Sequence, residues 1–218
     1  MDQRTEEDAF FRKPRTWSVL EALIAPDPDI REQAIDDLGS LEGFREQPLA
    51  VYLLATRLLD PVLEIRFRAV QALGCLLEFD RPGEGLPARS FRTLAAFTTQ
   101  LEKEQLVKLL EVSARYLAAE EAIVQIMKLC SYAGKILGGI VNDRKLPVEI
   151  RQQALYFCGE VGYLNTAISI RNLIQRIEKD RTRAGLITTR KKHLDEERLF
   201  PYAVAALRKL EGSRELSG

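Results

Sequence analysis

The sequence predicts an all-α fold, a solenoid of about five antiparallel helical hairpins, on three observations. Apolar residues recur at helical spacing through nearly the whole chain. No bounded stretch alternates apolar and polar residues, so no sheet is expected. Finally, one pattern occurs three times: Ile-Arg, an alanine three residues later, and a glycine five residues after that, beginning at Ile30, Ile65 and Ile150.

The first part of the chain predicts two hairpins. Prolines separate their helices, because proline lacks an N–H group and disfavours helix in the preceding residue. The turns contain "APDPD" at 25–29 and Asp60-Pro61, and the clearest loop is "DRPGEGLPA" at 80–88. The predicted helices span 18–25, 30–41, 48–59 and 64–79.

The second part predicts the remaining hairpins and a longer helix. The 85 residues between the second and third copies of the pattern leave room for one diverged repeat. We expect one domain at 16–212, with tails at 1–15 and 213–218 and a charged loop at 181–194. The predicted helices span 89–101, 103–118, 120–141, 148–162, 165–180 and 195–212.

The repeated residue types have a packing explanation. A single hairpin cannot bury its apolar face alone, so adjacent hairpins stack and share one core. We expect the isoleucines to fill that core, the alanines to keep the helices close and the glycines to leave room where helices cross. Each glycine costs about 1 kcal/mol in helix propensity. These positions are Ile30, Ile65, Ile150, Ala34, Ala69, Ala154, Gly39, Gly74 and Gly159.

The composition argues against several classes of site. Lysine plus arginine and aspartate plus glutamate each total 32, and this zero net charge opposes a dedicated nucleic-acid binder. The chain has one histidine, His193 in the charged loop, and three cysteines without a CxxC motif. We therefore expect no catalytic residues, no metal site and no cofactor. Cys75, Cys130 and Cys158 are predicted to be buried thiols in a reducing compartment.

The N-terminus is charged and lacks the apolar stretch of a secretory signal, and no run is long enough to span a membrane. We expect a cytoplasmic protein that does not bind membranes. The sequence leaves its oligomeric state open.

The segment at 60–74, D-P-x-x-E-I-R-x-x-A-x-x-A-L-G, resembles the HEAT repeat in its short prokaryotic form. The resemblance covers 25–79 and 142–180 well and 80–119 weakly. It implies that the arginine of one repeat bonds to a turn aspartate of a neighbouring repeat. Structural roles therefore fall to Arg31, Arg66, Arg151 and Asp60. Ala25 and Lys145 stand at the aspartate position of the other copies, so an incomplete ladder is expected.

The resemblance also implies that the second helix of each hairpin lines the concave, partner-binding face. Residues two and three beyond each repeated alanine point away from the core, and they include Tyr156 and Phe157. Aromatic residues are the usual anchors of protein interfaces. The partner's basic part should lie near the acidic pair, Asp36 and Asp37, and its apolar part near Tyr156. The predicted partner-binding residues are Asp36, Asp37, Phe67, Arg68, Gln71 and Tyr156.

The segment at 176–192 carries seven basic and two acidic residues. It could hold a phosphate group or an acidic protein segment, or it could be a solvated loop that pairs with its own neighbours. Its basic loop residues are Arg181, Arg183, Arg190, Lys191 and Lys192.

A non-enzymatic scaffold or adaptor that binds another protein or peptide accounts best for these features. HEAT-like enzymes and chaperones are the alternatives. A single histidine and no His-Glu pair exclude the di-iron hydroxylases among them. A phycobilin-lyase-like protein stays open, and a DNA-glycosylase-like protein fits the length but not the neutral charge. Nucleic-acid binding through 176–192 is the last alternative.

Overall fold

The computed structural model describes residues 14–78, 85–183 and 190–215, with side chains at 16–78, 85–182 and 195–212. These residues form eleven α-helices, four short 3-10 turns and no strand, which confirms the all-helical prediction for the described part of the chain. The helices are α1 (Pro14–Leu23), α2 (Pro28–Gly39), α3 (Pro48–Thr56), α4 (Leu63–Leu77), α5 (Ala88–Thr98), α6 (Lys103–Arg115), α7 (Glu120–Lys128), α8 (Ala133–Asn142), α9 (Val148–Val161), α10 (Ala167–Arg183) and α11 (Arg190–Glu215).

The chain divides into two compact units. The first contains residues 1–101 and 116–130, and the second contains 102–115 and 131–218. The predicted third hairpin, which paired 89–101 with 103–118, is therefore divided between the two units. The predicted tails at 1–15 and 213–218 lie largely outside the described residues.

In the first unit α1 packs on α2 and α3, and α3 packs on α5. α2 also packs on α4, and α4 packs on α7. This arrangement buries one continuous apolar core, in which Leu23, Leu54, Ile65 and Leu73 are fully buried.

In the second unit α9 is the central helix. It packs on α6, α8 and α11, while α10 packs on α8 and α11. Ala154, Leu155 and Phe157 are fully buried there. Phe157 was expected on the outward face, and that prediction is wrong because helices cover α9 on several sides.

The helix ends follow local rules. Proline begins α1, α2 and α3, where its fixed φ suits a helix and its missing N–H costs nothing. The Asp27 side chain accepts a hydrogen bond from the Asp29 backbone N–H at 2.9 Å. Gly162 ends α9 with a φ of 80°, a left-handed conformation that favours glycine.

The long helix predicted at 120–141 is wrong. The structure breaks it into α7 and α8 at residues 129–132. α7 packs on α4 in the first unit, whereas α8 packs on α6, α9 and α10 in the second. The break falls at the boundary between the two units, after residue 130.

Three predicted packing roles also fail. Ile30 is 47% exposed because it lies in a groove between α1 and α2 that no described helix covers. No other described helix has an atom within 4 Å of where a Cβ on Gly39 would be, so none of them crosses there. Cys75 is exposed, whereas Cys130 and Cys158 are buried as predicted.

Part of the segment predicted as a charged loop is helical. α10 continues to Arg183 and α11 begins at Arg190, so His193 lies in a helix, and residues 184–189 lie outside the described part of the chain. Over the described residues, no helix combines the length and the apolar character needed to cross a membrane.

Candidate functional site

A buried ion pair joins the first two hairpins. Arg31 donates to the Asp60 carboxylate from Nε at 2.8 Å and from Nη2 at 3.0 Å. The two side chains are 7% and 0% exposed. Arg57 adds a longer contact of 3.3 Å, and the Val62 N–H donates to the other carboxylate oxygen at 3.0 Å. Asp60 thus pairs with the arginine of the preceding repeat, across the boundary between α2 and α4.

Arg31 and Arg66 each make the same kind of local hydrogen bond. Each donates from Nη1 to the carbonyl oxygens five and six residues earlier, in the turn before its own helix. For Arg31 these belong to Ala25 and Pro26, and for Arg66 to Asp60 and Pro61. The alanine at the aspartate position of the first repeat therefore leaves this arginine contact intact, because the contact uses backbone atoms.

Arg151 takes its acid from elsewhere. Its Nε donates to the Val141 carbonyl at 2.8 Å and its Nη2 donates to Glu196 Oε1 at 2.8 Å. Lys145 holds the turn position in this repeat, so a glutamate on α11 supplies the carboxylate. Sequence reasoning missed Glu196 because the family pattern directs attention to the turn.

Three predicted partner-binding residues line one cleft. Asp36, Arg68 and Gln71 lie around a cavity of about 350 Å³ between α2 and α4. Apolar side chains form its floor, and the exposed Cys75 lies at its edge. The floor residues are Leu38, Phe44, Leu54 and Leu76.

Acidic side chains surround Arg68 at the rim of this cleft. Arg68 contacts Glu32 at 2.8 Å, Asp36 at 3.0 Å and, more distantly, Glu64 at 3.9 Å. Three carboxylates therefore face the Arg68 guanidinium group. Arg45 also lines the cleft, so three carboxylates stand against two guanidinium groups there. Glu32 and Glu64 were missed. Glu64 is four residues before Arg68 on the same helix, which is a detectable signal.

Phe67 and Asp37 lie close to this rim but outside the cleft lining. Phe67 stacks on Tyr116, with ring centroids 4.3 Å apart. The Tyr116 hydroxyl donates to Glu64 at 2.7 Å. Asp37 accepts a hydrogen bond from Gln33 and lines the separate groove between α1 and α2. Phe67 is therefore held by its own chain.

Tyr156 belongs to the second unit. It is half-buried, packs edge-to-face against Phe157 and lies under the Lys209 ammonium group, 5.8 Å from the ring centroid. Lys209 also pairs with Glu160. The predicted partner-binding residues thus belong to both units, and five of the six belong to the first.

The predicted basic loop residues are only partly described. Arg181 is helical, pairs with Glu197 at 3.5 Å and lies over the Phe200 ring at 4.2 Å. Arg183, Arg190, Lys191 and Lys192 have helical backbone, but their side chains lie outside the described residues. Arg181 is therefore paired within its own unit.

The part of the chain that the structure describes holds no group of three or more potential metal-ligating residues. The buried thiol of Cys158 is poorly suited to nucleophilic chemistry, because burial raises its pKa to about 12 although a hydrogen bond to Thr166 opposes the change.

No family model matches this chain, and no curated protein matches it. Among solved structures, this chain is similar to the crystal structure of an engineered protein from the Northeast Structural Genomics Consortium. The two chains share 16% sequence identity. The match covers 97% of this chain and 92% of that one, with a TM-score of 0.36.

Proposed function

We propose that this protein is a non-enzymatic protein-interaction scaffold, a HEAT-like α-solenoid, and that the cleft between α2 and α4 binds a partner segment. The segment would place one apolar side chain in the cleft and a basic group at its rim. The observation that carries this proposal is the combination, in one place, of an apolar floor and a surplus of carboxylates.

The size of the cleft supports binding of a short segment. Its volume lies near the lower end of the range of about 300–1,000 Å³ typical of ligand pockets. A pocket of this size suits one or two side chains rather than a whole protein surface. The apolar floor favours an aliphatic or aromatic anchor, because burying apolar surface contributes about 25 cal/mol per Å².

The charges at the rim favour a basic partner. Glu32, Asp36 and Glu64 surround Arg68, and Arg45 also lines the cleft. Three carboxylates therefore meet two guanidinium groups, so an incoming lysine or arginine finds carboxylate oxygens that are not fully neutralised. These groups are partly exposed, and each exposed pair is worth about 0.2–1 kcal/mol. Their main effect is expected on orientation and association rate.

Arg68 is poorly placed to contact an acidic group of a partner. Its own chain already surrounds it with carboxylates. A change to glutamate would therefore repel Glu32, Asp36 and Glu64 before any partner arrived, so Arg68→Glu is a poor test of binding.

A better test fills the cleft. Ala72 lines it and is half-buried, so Ala72→Phe should occupy the space that the partner's apolar side chain needs. Ala96 on α5 is exposed and outside the cleft, and Ala96→Phe is the matched control. The three tagged proteins would be compared in pull-downs, with melting curves recorded for each.

We expect Ala72→Phe to lose proteins that the unmodified chain and Ala96→Phe both retain, with similar melting midpoints for all three. The retained proteins should also dissociate as salt is raised. Equal capture by Ala72→Phe and the control would remove the cleft from the binding surface.

A further inference from the structure

A cluster of arginines surrounds one buried glutamate in the second unit. Glu196 on α11 is 6% exposed. Its Oε1 contacts Arg151 at 2.8 Å and Arg144 at 3.3 Å, and its Oε2 contacts Arg176 at 3.3 Å. The arginines come from α9, from the turn before it and from α10, so three chain segments converge on one carboxylate.

The charges in this cluster do not balance. Three guanidinium groups, which stay protonated at any physiological pH, face a single carboxylate. The neighbouring Asp143 carboxylate is already engaged by the Lys103 ammonium group and the Lys145 backbone N–H. The cluster therefore keeps a surplus of about two positive charges.

The arrangement favours the ionised form of Glu196. Burial by itself would raise the pKa of Glu196. The hydrogen bond from Arg151 and the charges of Arg151, Arg176 and Arg144 outweigh burial and hold the pKa below its ordinary value. Glu196 is thus a fixed anion inside the cluster.

One arginine donor in the cluster is unused. The Nε of Arg176 is buried, and among the described residues it has no hydrogen-bond acceptor. The Nη2 of the same side chain makes only long contacts, 3.3 Å to Glu196 and 3.5 Å to Asn142. Buried donors are normally satisfied, so this N–H is available to an incoming acceptor such as an ion or a water molecule.

The solvent side of the cluster is accessible. The side chains of Arg144 and Arg176 are 54% and 36% exposed, whereas that of Arg151 is 3% exposed. Glu196 therefore holds the buried side of the cluster, while Arg144 and Arg176 present charge outward. Guanidinium groups suit tetrahedral oxyanions because their N–H donors match two oxygens at once.

We propose that Arg144 and Arg176, held in place by Glu196 and Arg151, bind a single phosphate-type oxyanion, either free phosphate or a phosphate monoester. The cluster is small and has two accessible arginines, so it suits one phosphate group. A nucleic-acid backbone would instead need a row of basic side chains along several phosphates. This site lies in the second unit and does not depend on the function proposed above for the first.

Inorganic phosphate is the probe. Thermal unfolding of the full chain would be followed in increasing phosphate and in sodium chloride of equal ionic strength, and binding would be measured by calorimetry. We expect phosphate to raise the melting midpoint above the chloride value. The double variant Arg144→Gln with Arg176→Gln should lose this difference and bind phosphate at least tenfold more weakly.

Arg171→Gln is the matched control, because Arg171 lies on the same helix as Arg176 and pairs with Glu211 outside the cluster. It should keep the phosphate response of the unmodified chain. Identical midpoints in phosphate and chloride for the unmodified chain would overturn the proposal, and so would a response that survives in the double variant.

Glu196→Gln tests the cluster in the opposite direction. It removes the internal anion and leaves three arginines without a carboxylate, so it should lower the midpoint in chloride and enlarge the rise in phosphate. If the cluster were only a structural ion pair, Glu196→Gln would lower the midpoint in chloride without enlarging the rise in phosphate. A short single-stranded DNA that binds far more tightly than phosphate, and is lost in the double variant, would show that the site takes nucleic acid and refute the assignment.

Discussion

The glycine at 74 allows a sharp test of how closely α4 and α7 pack. A Cβ added at Gly74 would lie 2.4 Å from the Cβ and 3.1 Å from the Cα of Ala122. Carbon atoms in contact prefer about 3.5–4.0 Å, so Gly74→Ala must push the two helices apart by about 1 Å. Neither contact can be relieved by rotating a side chain, because both atoms are fixed by the backbone.

The net effect of Gly74→Ala on stability is the difference between a packing cost and a gain in helix propensity. Overpacking of a core costs about 1–3 kcal/mol. Alanine regains about 1 kcal/mol of helix propensity relative to glycine. With so short a contact we place the packing cost at the upper end of its range, so Gly74→Ala should lower the free energy of unfolding by about 1–2 kcal/mol.

Gly39 gives the matched control, because it ends α2 with open space around it. Gly39→Ala should be neutral or stabilising by up to about 1 kcal/mol. Gly159 is the intermediate case, with its added Cβ 3.0 Å from the Cα of Ala206. Urea unfolding of the three variants should rank their stabilities Gly39→Ala, Gly159→Ala, Gly74→Ala, from highest to lowest. Equal urea midpoints for Gly39→Ala and Gly74→Ala would refute the close approach of α4 and α7.

Asp60→Ala should lower the free energy of unfolding by about 3–5 kcal/mol, because it leaves Arg31 buried without its carboxylate; urea unfolding measures this, and a loss below 1 kcal/mol would contradict it. Ala69→Leu should cost about 1–3 kcal/mol by overpacking a fully buried position, and an unchanged melt would mean that the helix faces another way. The lowered pKa of Glu196 implies a stabilisation that is complete above the ordinary value of 4.5 and lost as the pH falls through the lower folded value. The stability difference between the unmodified chain and Glu196→Gln should therefore shrink in acid, and a difference that is constant with pH would contradict the assignment. The thiol reagent DTNB should modify one cysteine of the native protein, Cys75, and the other two only after denaturation; Cys75→Ser is the control, and rapid modification of that variant would contradict the burial of the others.

The helices could be predicted because their determinants are local. Apolar spacing and prolines at the turns identify α2, α3 and α4 within a few residues of their observed ends. The break at 129–132 could not be predicted, because the segment is continuously helical in pattern and only its contacts with other helices divide it. Gly39, Gly74 and Gly159 occupy the same repeat position, yet which of them is crossed by another helix depends on residues far away in sequence.

Part of the candidate site could be found by comparing the repeats. Asp36 and Gln71 were identified because residues beyond the repeated alanine are expected to face outward, and Arg68 because it lies three residues beyond the repeated isoleucine. All three line one cleft. Glu32 was missed because Arg68 reaches across to the preceding repeat, which no spacing within a repeat reveals. Glu196 was missed for the same reason, since it lies 45 residues after its partner Arg151.

Asp60 connects the unfolding of two hairpins. Its carboxylate holds Arg31 of α2, while its carbonyl oxygen accepts a hydrogen bond from Arg66 of α4. Opening α2 takes Arg31 away from the Asp60 carboxylate, and opening α4 takes Arg66 away from the Asp60 carbonyl oxygen, so the opening of each helix is coupled to the same turn. Amide hydrogens in α2 and α4 should therefore exchange with solvent as one cooperative group, and the edge of that group marks the smallest fragment of the first unit that can fold by itself.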